Sequence, residues 1–470
     1  MKTKLAAMFS IGLMVIMITP GCAPIIQPTQ PTMVATVESI SSPIVESTST
    51  TESTPTLSTK TGEIEIKNFT SNLSDFGVYT VVGEIQNNSS ETFSGIELSI
   101  EIKDSAGDSL LKDDMGNSVE NNSFEPLIKT LCSGESSSFK YEYDTSYGLP
   151  DTYEVKVKNF TLVEVKRITL VTENFLLVGD GMGSINISGE LINPSDHWVL
   201  IKELAGAAVN ENQQVIATDW TSTLSSELAP HGDLTGYDRT PFFITMTDSG
   251  GLYKGWKIYQ DAIILDTPHS FDVKIELTDH YFDANNNFHL IGSISNPTTD
   301  QLSIQLTAGI YDEQSVVLDS VVESLPLGIG PNEEYPFDVS GFMNIDNLSI
   351  LAEKINKYSV KVNFSNSQTI TNDLVKLESP DATCTKNGPN WDCIGTVINS
   401  SGKELLGETI QAGVYDTLGK LQSTGFTYII PQIDSIASQE INSFEFTING
   451  NPQFKADDSI FKFFIQGTVK

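Results

Sequence analysis

The residues equipped for chemistry are few and scattered. The 470-residue chain holds five histidines, His197, His231, His269, His280 and His289. A hydrolytic site needs a base beside a nucleophile, and the chain has neither a Gly-x-Ser-x-Gly turn nor a His-Glu-x-x-His helix. His269, His280 and His289 with Asp279 and Asp283 would form a metal site only if neighbouring hairpins gathered them. Their spacing follows no metal-binding pattern, so exposed strand or loop histidines are expected. Gly179-Asp180-Gly181-Met182-Gly183 has the glycine content of a phosphate cradle, but it lies between strand-like runs with no helix after it, so a hairpin turn is expected. Asp104-Ser105-Ala106-Gly107-Asp108 and Asp283-Ala284-Asn285-Asn286-Asn287 carry oxygen ligands without an EF-hand's closing Glu. Solvated turns are the expectation, with calcium between domains as the alternative. The reading is of a non-enzymatic chain with no catalytic residue, no metal and no cofactor.

Aromatic chemistry is more concentrated. Three of the four tryptophans, Trp198, Trp220 and Trp256, fall within 166–268, together with a segment from Pro230 to Thr247 that carries Tyr237, Phe242 and Phe243. Exposed aromatics stack on sugar rings or anchor partner proteins, so Trp198, Trp220, Trp256 and Tyr237 are the candidate ligand-binding residues, against a core role. Cys384 and Cys393 flank a turn-rich stretch with an Asn-Gly hairpin signal, and outside a reducing cytosol they are expected to pair. A metal would need a second ligand pair nearby. Cys132 has no evident partner and is expected to behave as a small buried hydrophobe.

Charge and targeting limit the setting. Asp and Glu number 61 against 27 Lys and Arg, a net charge of −34, which repels nucleic-acid phosphates and anionic headgroups and excludes nucleic acid as a partner. Lys2 and Lys4 precede an apolar run from Leu5 to Ile18, too short for a comfortable span of ~20 residues. Thr19-Pro20-Gly21-Cys22 follows. This resembles the lipobox of bacterial lipoproteins, in which the cysteine takes a diacylglycerol, although Thr19 stands where the family usually has Leu. The resemblance makes Cys22 the lipidation site, with cleavage after Ala23 and plain secretion as the rival. Residues 24–60 hold nine Thr, seven Ser and five Pro, 21 of 37, and no aromatic residue. Such a segment cannot bury enough apolar surface to order itself, and its position makes it a spacer.

Beyond residue 61 the chain repeats. Gly83-Glu84-Ile85-Gln86-Asn87, Gly189-Glu190-Leu191-Ile192-Asn193, Gly292-Ser293-Ile294-Ser295-Asn296 and Gly395-Thr396-Val397-Ile398-Asn399 lie 106, 103 and 103 residues apart (189−83, 292−189, 395−292). A period of that size marks tandem domains. Apolar residues at every second position (Tyr79, Val81, Ile85; Ile185, Ile187, Leu191) predict a strand with one buried face and the glycine upon it. The closing Asn reads as turn chemistry. A second alternating run leads each time to a polar turn, at Asp104, Glu211, Asp312 and Asp416. A later aromatic strand holds Phe139, Phe337 or Phe444. With no helical periodicity, these short strands predict two-sheet antiparallel sandwiches.

The Gly-x-aliphatic-x-Asn strand, Ile310-Tyr311-Asp312, Val414-Tyr415-Asp416 and the Gly134-Glu135 turn before Phe139 resemble FxLyD-type domains, Ig-like β-sandwich modules of bacterial and archaeal surface lipoproteins. Lys103-Asp104 and Asn210-Glu211 depart from the pattern. The resemblance implies an exported sandwich and carries no functional residues. The expected organisation is a lipoprotein signal peptide (1–22), a disordered Ser/Thr/Pro-rich linker (23–61), and all-β, Ig-like sandwiches at 62–165, 166–268, 269–366 and 367–470. The expected role is a non-enzymatic spacer or protein-interaction array, lipid-anchored on the extracytoplasmic side of a cell membrane. Its partners would be other surface proteins or cell-wall glycan. The alternative is a glycan- or solute-binding lipoprotein using the aromatics of the second domain.

Overall fold

The computed structural model describes residues 63–470 except 75, 113–115, 180–182, 222–226, 233–235, 248–252, 267–272, 286, 343–358, 370–372, 431–434 and 455–458, and no side chain at 178 or 359–369. Cys22, the targeting run and the linker lie outside the described residues, as does His269.

The described residues form antiparallel sheets, with no α-helix among them. They fall into four modules of two sheets each, and no sheet mixes strands from different modules. In module 1, β1 (Ile64–Leu73), β2 (Val78–Asn87) and β5 (Ser136–Asp144) make one sheet. β3 (Phe93–Lys103), β4 (Asn122–Phe124) and β6 (Thr152–Leu162) make the other. Module 2 sets β7 (Val171–Gly179), β8 (Ser184–Ile192) and β12 (Arg239–Thr247) against β9 (Val199–Val209), β10 (Val215–Trp220), β11 (Glu227–Leu228) and β13 (Gly255–Ile264). Module 3 sets β14 (Lys274–Phe282), β15 (Phe288–Asn296) and β18 (Glu333–Val339) against β16 (Leu302–Tyr311), β17 (Val317–Ser324) and β19 (Ser359–Thr369). Module 4 sets β21 (Thr383–Asn387), β22 (Asn390–Ile398) and β25 (Ile441–Ile448) against β20 (Leu374–Lys376), β23 (Leu405–Tyr415), β24 (Leu421–Ile429) and β26 (Ile460–Val469).

The repeated motif occupies the central strands β2, β8, β15 and β22. Each motif glycine pairs across the ladder with a phenylalanine: Gly83 with Phe139, Gly189 with Phe242, Gly292 with Phe337 and Gly395 with Phe444. The ring lies over the glycine, so the close approach comes from the adjacent strand of the same sheet. Phe242 therefore belongs to the repeat.

Each motif asparagine is fully buried. Asn87 Nδ2 donates to the carbonyls of Glu91 (2.7 Å) and Leu131 (2.9 Å), and its Oδ1 accepts from Ser89 N–H (3.0 Å). Asn193, Asn296 and Asn399 repeat the arrangement with His197 and Ala229, Asp300 and Ile329, Lys403 and Ile436. The turn reading is thus half of the role, because the amide also ties the turn to a distant loop. The hairpins after β3, β9, β16 and β23 are built on Asp104, Asn210, Asp312 and Asp416, each accepting two backbone N–H groups. Asn210, not Glu211, holds the place in module 2.

The expectation of one buried and one polar face fails for modules 1 to 3. Glu84, Asn186, Ser188, Glu190 and Ile291 are also buried, because the outer face of each motif sheet packs against the next module. In module 4 the alternation survives, and Ile394 and Ile441 are 52% and 62% exposed.

At the first joint Lys257 Nζ reaches Glu84 Oε2 (2.7 Å), Thr218 Oγ1 lies 2.6 Å from Ser138 Oγ, and Thr70 Oγ1 donates to Val215 O (2.6 Å). The buried Arg167 guanidinium meets Glu135, the Thr130 carbonyl (2.9 Å) and Asp261 (3.1 Å). At the second, Tyr311 Oη donates to Glu190 Oε1 (3.1 Å) and Ser188 Oγ to Val317 O (2.5 Å). At the third, Tyr281 Oη lies 2.9 Å from Ser423 Oγ, and Gln411 Nε2 donates to Pro336 O (2.9 Å).

The side chain before each hairpin residue faces the preceding module in modules 2 to 4, and module 1, with no described module before it, lacks the Tyr. Val209, Tyr311 and Tyr415 all face the preceding module, Val209 within the module 1 core cluster and Tyr415 against Tyr281 and Ile291. Module 1 has Lys103 there, bonded to Glu101 (3.1 Å) on a charged face where Glu97 also meets Lys158 (2.8 Å).

Cys384 and Cys393 form a disulfide across the β21–β22 ladder, Cα to Cα 4.0 Å. The turn pair is Gly388-Pro389, since Asn387 and Asn390 already pair, and Gly388 supplies the positive φ of +61° that this turn demands. Cys132 is fully buried as expected, and it is disulfide-bonded rather than a lone thiol.

Candidate functional site

The four candidate aromatics are not brought together. Trp256 packs on the module 2 core and edge-on to Phe175 (ring centroids 4.2 Å). Tyr237 packs against the module 3 core cluster and is a joint residue. Trp198 is half-buried beside the Asn193 turn, its carbonyl accepting Leu265 N–H (2.9 Å). Trp220 alone stands in the open, 60% exposed at the end of β10.

Trp220 helps to line a cleft of about 660 Å³ formed by Glu125 and Lys129 of module 1 and Lys202 and Glu203 of module 2. Its strand is pinned on both sides. Asp219 Oδ1 accepts Trp220 N–H (2.9 Å), and Asp219 Oδ2 meets Lys140 of module 1 (3.2 Å). Thr221 N–H donates to Leu204 O (3.0 Å) and its hydroxyl to Phe243 O (2.6 Å). Across the cleft, Glu203 Oε2 accepts Lys129 N–H (3.0 Å), and Lys129 Nζ pairs with Glu125 (2.5 Å). Burial pushes the Glu203 carboxyl above its ordinary range, partly opposed by the Lys129 N–H. An indole on a pinned strand, beside the Glu203 carboxylate and two lysines, offers stacking and hydrogen bonding. The sequence signal was tryptophan enrichment; that module 1 supplies part of the site was not legible.

The histidines separate in the same way. His197 and His231 are exposed, while His289 is buried, against the expectation of exposure. Its Nδ1 lies 2.8 Å from Asp338 Oδ2 and its Nε2 3.5 Å from Asp283 Oδ2, and the ring stacks on Tyr281 (centroids 4.9 Å). Burial alone would lower its pKa, but the hydrogen bond and charge of Asp338, with the charge of Asp283, outweigh burial and raise it. Both imidazole nitrogens thus face carboxylates. The Asp104 and Asp283 turns direct a carboxylate oxygen at their own backbone N–H groups. Among the described residues no His, Cys, Asp and Glu group is arranged to hold a metal ion.

No protein-family profile matches this chain, and no curated protein does. Similar solved structures include the native conformation of Escherichia coli alpha-2-macroglobulin, at 10% identity over 86% of this chain and 27% of that one, TM-score 0.14. Another is a calcium-binding mutant of Bacteroides uniformis beta-glucuronidase 2, at 12% identity over 58% of this chain and 29% of that one, TM-score 0.11. The chain thus spans under a third of the length of either.

Proposed function

We propose that this chain is a non-enzymatic, lipid-anchored surface protein whose FxLyD-type modules form a spacer and interaction array. The observation that carries the reading is the set of joints. Three successive modules each bury polar groups of the previous sheet face, an arrangement that holds the modules in a set order and orientation at a fixed remove from the linker. The charged outer face of module 1 suits the end of an array, where repeat stacks carry a polar cap. A Ser/Thr/Pro linker following Cys22 suits a body held clear of a membrane. Surface proteins and cell-wall glycan are the partners that such a setting offers.

The test is Cys22→Ala. Release of the protein from the membrane fraction is the expected result. Retention, or mass spectrometry showing Cys22 in a disulfide with no sulfur left for a thioether, would overturn the anchor. The second reading is glycan or solute binding through module 2, and among its four aromatics Trp220 supports it by exposure.

A further inference from the structure

Trp220 is 60% exposed at the end of a strand pinned on both sides, whereas Trp256 packs on the module 2 core and Trp198 is half-buried. We propose that the cleft between modules 1 and 2 binds the pyranose ring of an uncharged oligosaccharide, with Trp220 as the stacking platform. This rests on the second reading above and narrows it to one site, one ligand class and a requirement for both modules.

The chemistry follows from the walls. The C–H face of a pyranose is apolar and matches an indole face. Its rim of hydroxyls needs acceptors and donors in fixed positions. Glu203 has one oxygen held by Lys129 N–H, leaving the other to accept from a sugar hydroxyl, while Lys202 and Lys129 supply ammonium donors. Glu125 and Glu203 balance Lys129 and Lys202 within the cleft, so discrimination against a uronate or sulfated sugar comes from the net charge of −34 on the chain as a whole. Binding is non-covalent, and no group is transferred.

The experiment titrates the full chain with cellotriose, with the N-acetylglucosamine trimer and with a galacturonate trimer, following tryptophan emission and heat. Saturable binding of a neutral trimer, with the galacturonate trimer weaker, is expected. Trp220→Ala should weaken it by at least about tenfold, Trp220→Tyr should restore most of it, and Trp198→Ala should leave it unchanged. Circular dichroism checks that each variant is folded. No response to either neutral trimer overturns both the inference and the second reading. A response that survives Trp220→Ala overturns this site and leaves that reading standing. Preference for the galacturonate trimer, or binding of an unstructured peptide alone, overturns the ligand class.

Discussion

Phe139 stands directly across the ladder from Gly83, and its Cζ is 2.5 Å from where a Cβ on that glycine would lie. The same relation holds for Phe242 over Gly189, Phe337 over Gly292 and Phe444 over Gly395, at 2.6–2.7 Å. Each module therefore closes its core by laying a ring across the one position of the central strand without a side chain.

Gly292 is the most constrained of the four, since a Cβ there would also meet the Glu276 carbonyl at 2.3 Å. Gly292→Val is expected to cost about 1–3 kcal/mol through overpacking, read as a lowered urea midpoint. A neutral result would mean that the ring and the β14 backbone can both withdraw.

Asn296→Ala should destabilise module 3 by about 1–3 kcal/mol, because the Asp300 and Ile329 carbonyls lose their common donor inside the protein. Asn296→Asp keeps the acceptor but sets a carboxylate against those carbonyls, and it should be at least as harmful. Denaturation of both variants measures this. An Asp variant of wild-type stability would show that water replaces the amide.

Lys257→Met removes the cation from Glu84, which stays buried with Asn68 as its neighbour at 2.9 Å. Lys257 keeps part of its exposure, so a loss of about 1–3 kcal/mol is expected, below that of a fully buried pair. Adding Glu84→Gln should recover much of it. Limited proteolysis between modules 1 and 2 gives a second readout: the single variant should be cut faster at the joint, and the double variant more slowly than the single.

His289 sets a pH dependence. Its raised pKa means that the folded state holds the proton more tightly than the unfolded chain, whose imidazole titrates near ~6.5. The stabilisation is full below that unfolded value and is lost as pH rises through the higher folded value. Around the ring stand Asp283, Asp338 and Tyr281, with Ser423 beyond the Tyr281 hydroxyl. Burial raises Asp338 despite His289, so its own window is the acid one above the ordinary Asp range. The thermal midpoint should fall across neutral pH, and His289→Asn should flatten that slope. An NMR titration placing the imidazole pKa below its ordinary value would contradict the account.

Period-2 alternation around Gly83, Gly189, Gly292 and Gly395 placed the central strands and the sandwich fold, because strand periodicity depends on burial within one module. The Cys384–Cys393 pairing was legible because two cysteines nine positions apart, with a turn between them, leave little choice of partner. The departures at Lys103-Asp104 and Asn210-Glu211 are visible in the sequence, yet that this position faces a preceding module in modules 2 to 4 is not. Glu84, Glu190 and His289 were illegible for the same reason: a polar residue on an alternating strand signals solvent unless another surface covers it. That Phe242 belongs to the repeat was not legible, because Tyr237-Asp238 stands before it where its siblings have Gly134-Glu135, Asn332-Glu333 and Gln439-Glu440. The four aromatics of module 2 looked like a group in sequence and are three packed side chains and one exposed indole in space.

The buried asparagines have a consequence for biosynthesis. Asn87-Asn88-Ser89 and Asn399-Ser400-Ser401 have the form of N-linked acceptor sequons, while Pro194 and Pro297 disqualify the other two. The nitrogen that an oligosaccharyltransferase would modify is the donor that ties each turn to its distant loop. In a compartment that attaches such sugars, carbohydrate at Asn87 or Asn399 and a closed sandwich exclude one another, so maturation there becomes a race between the transferase and the fold.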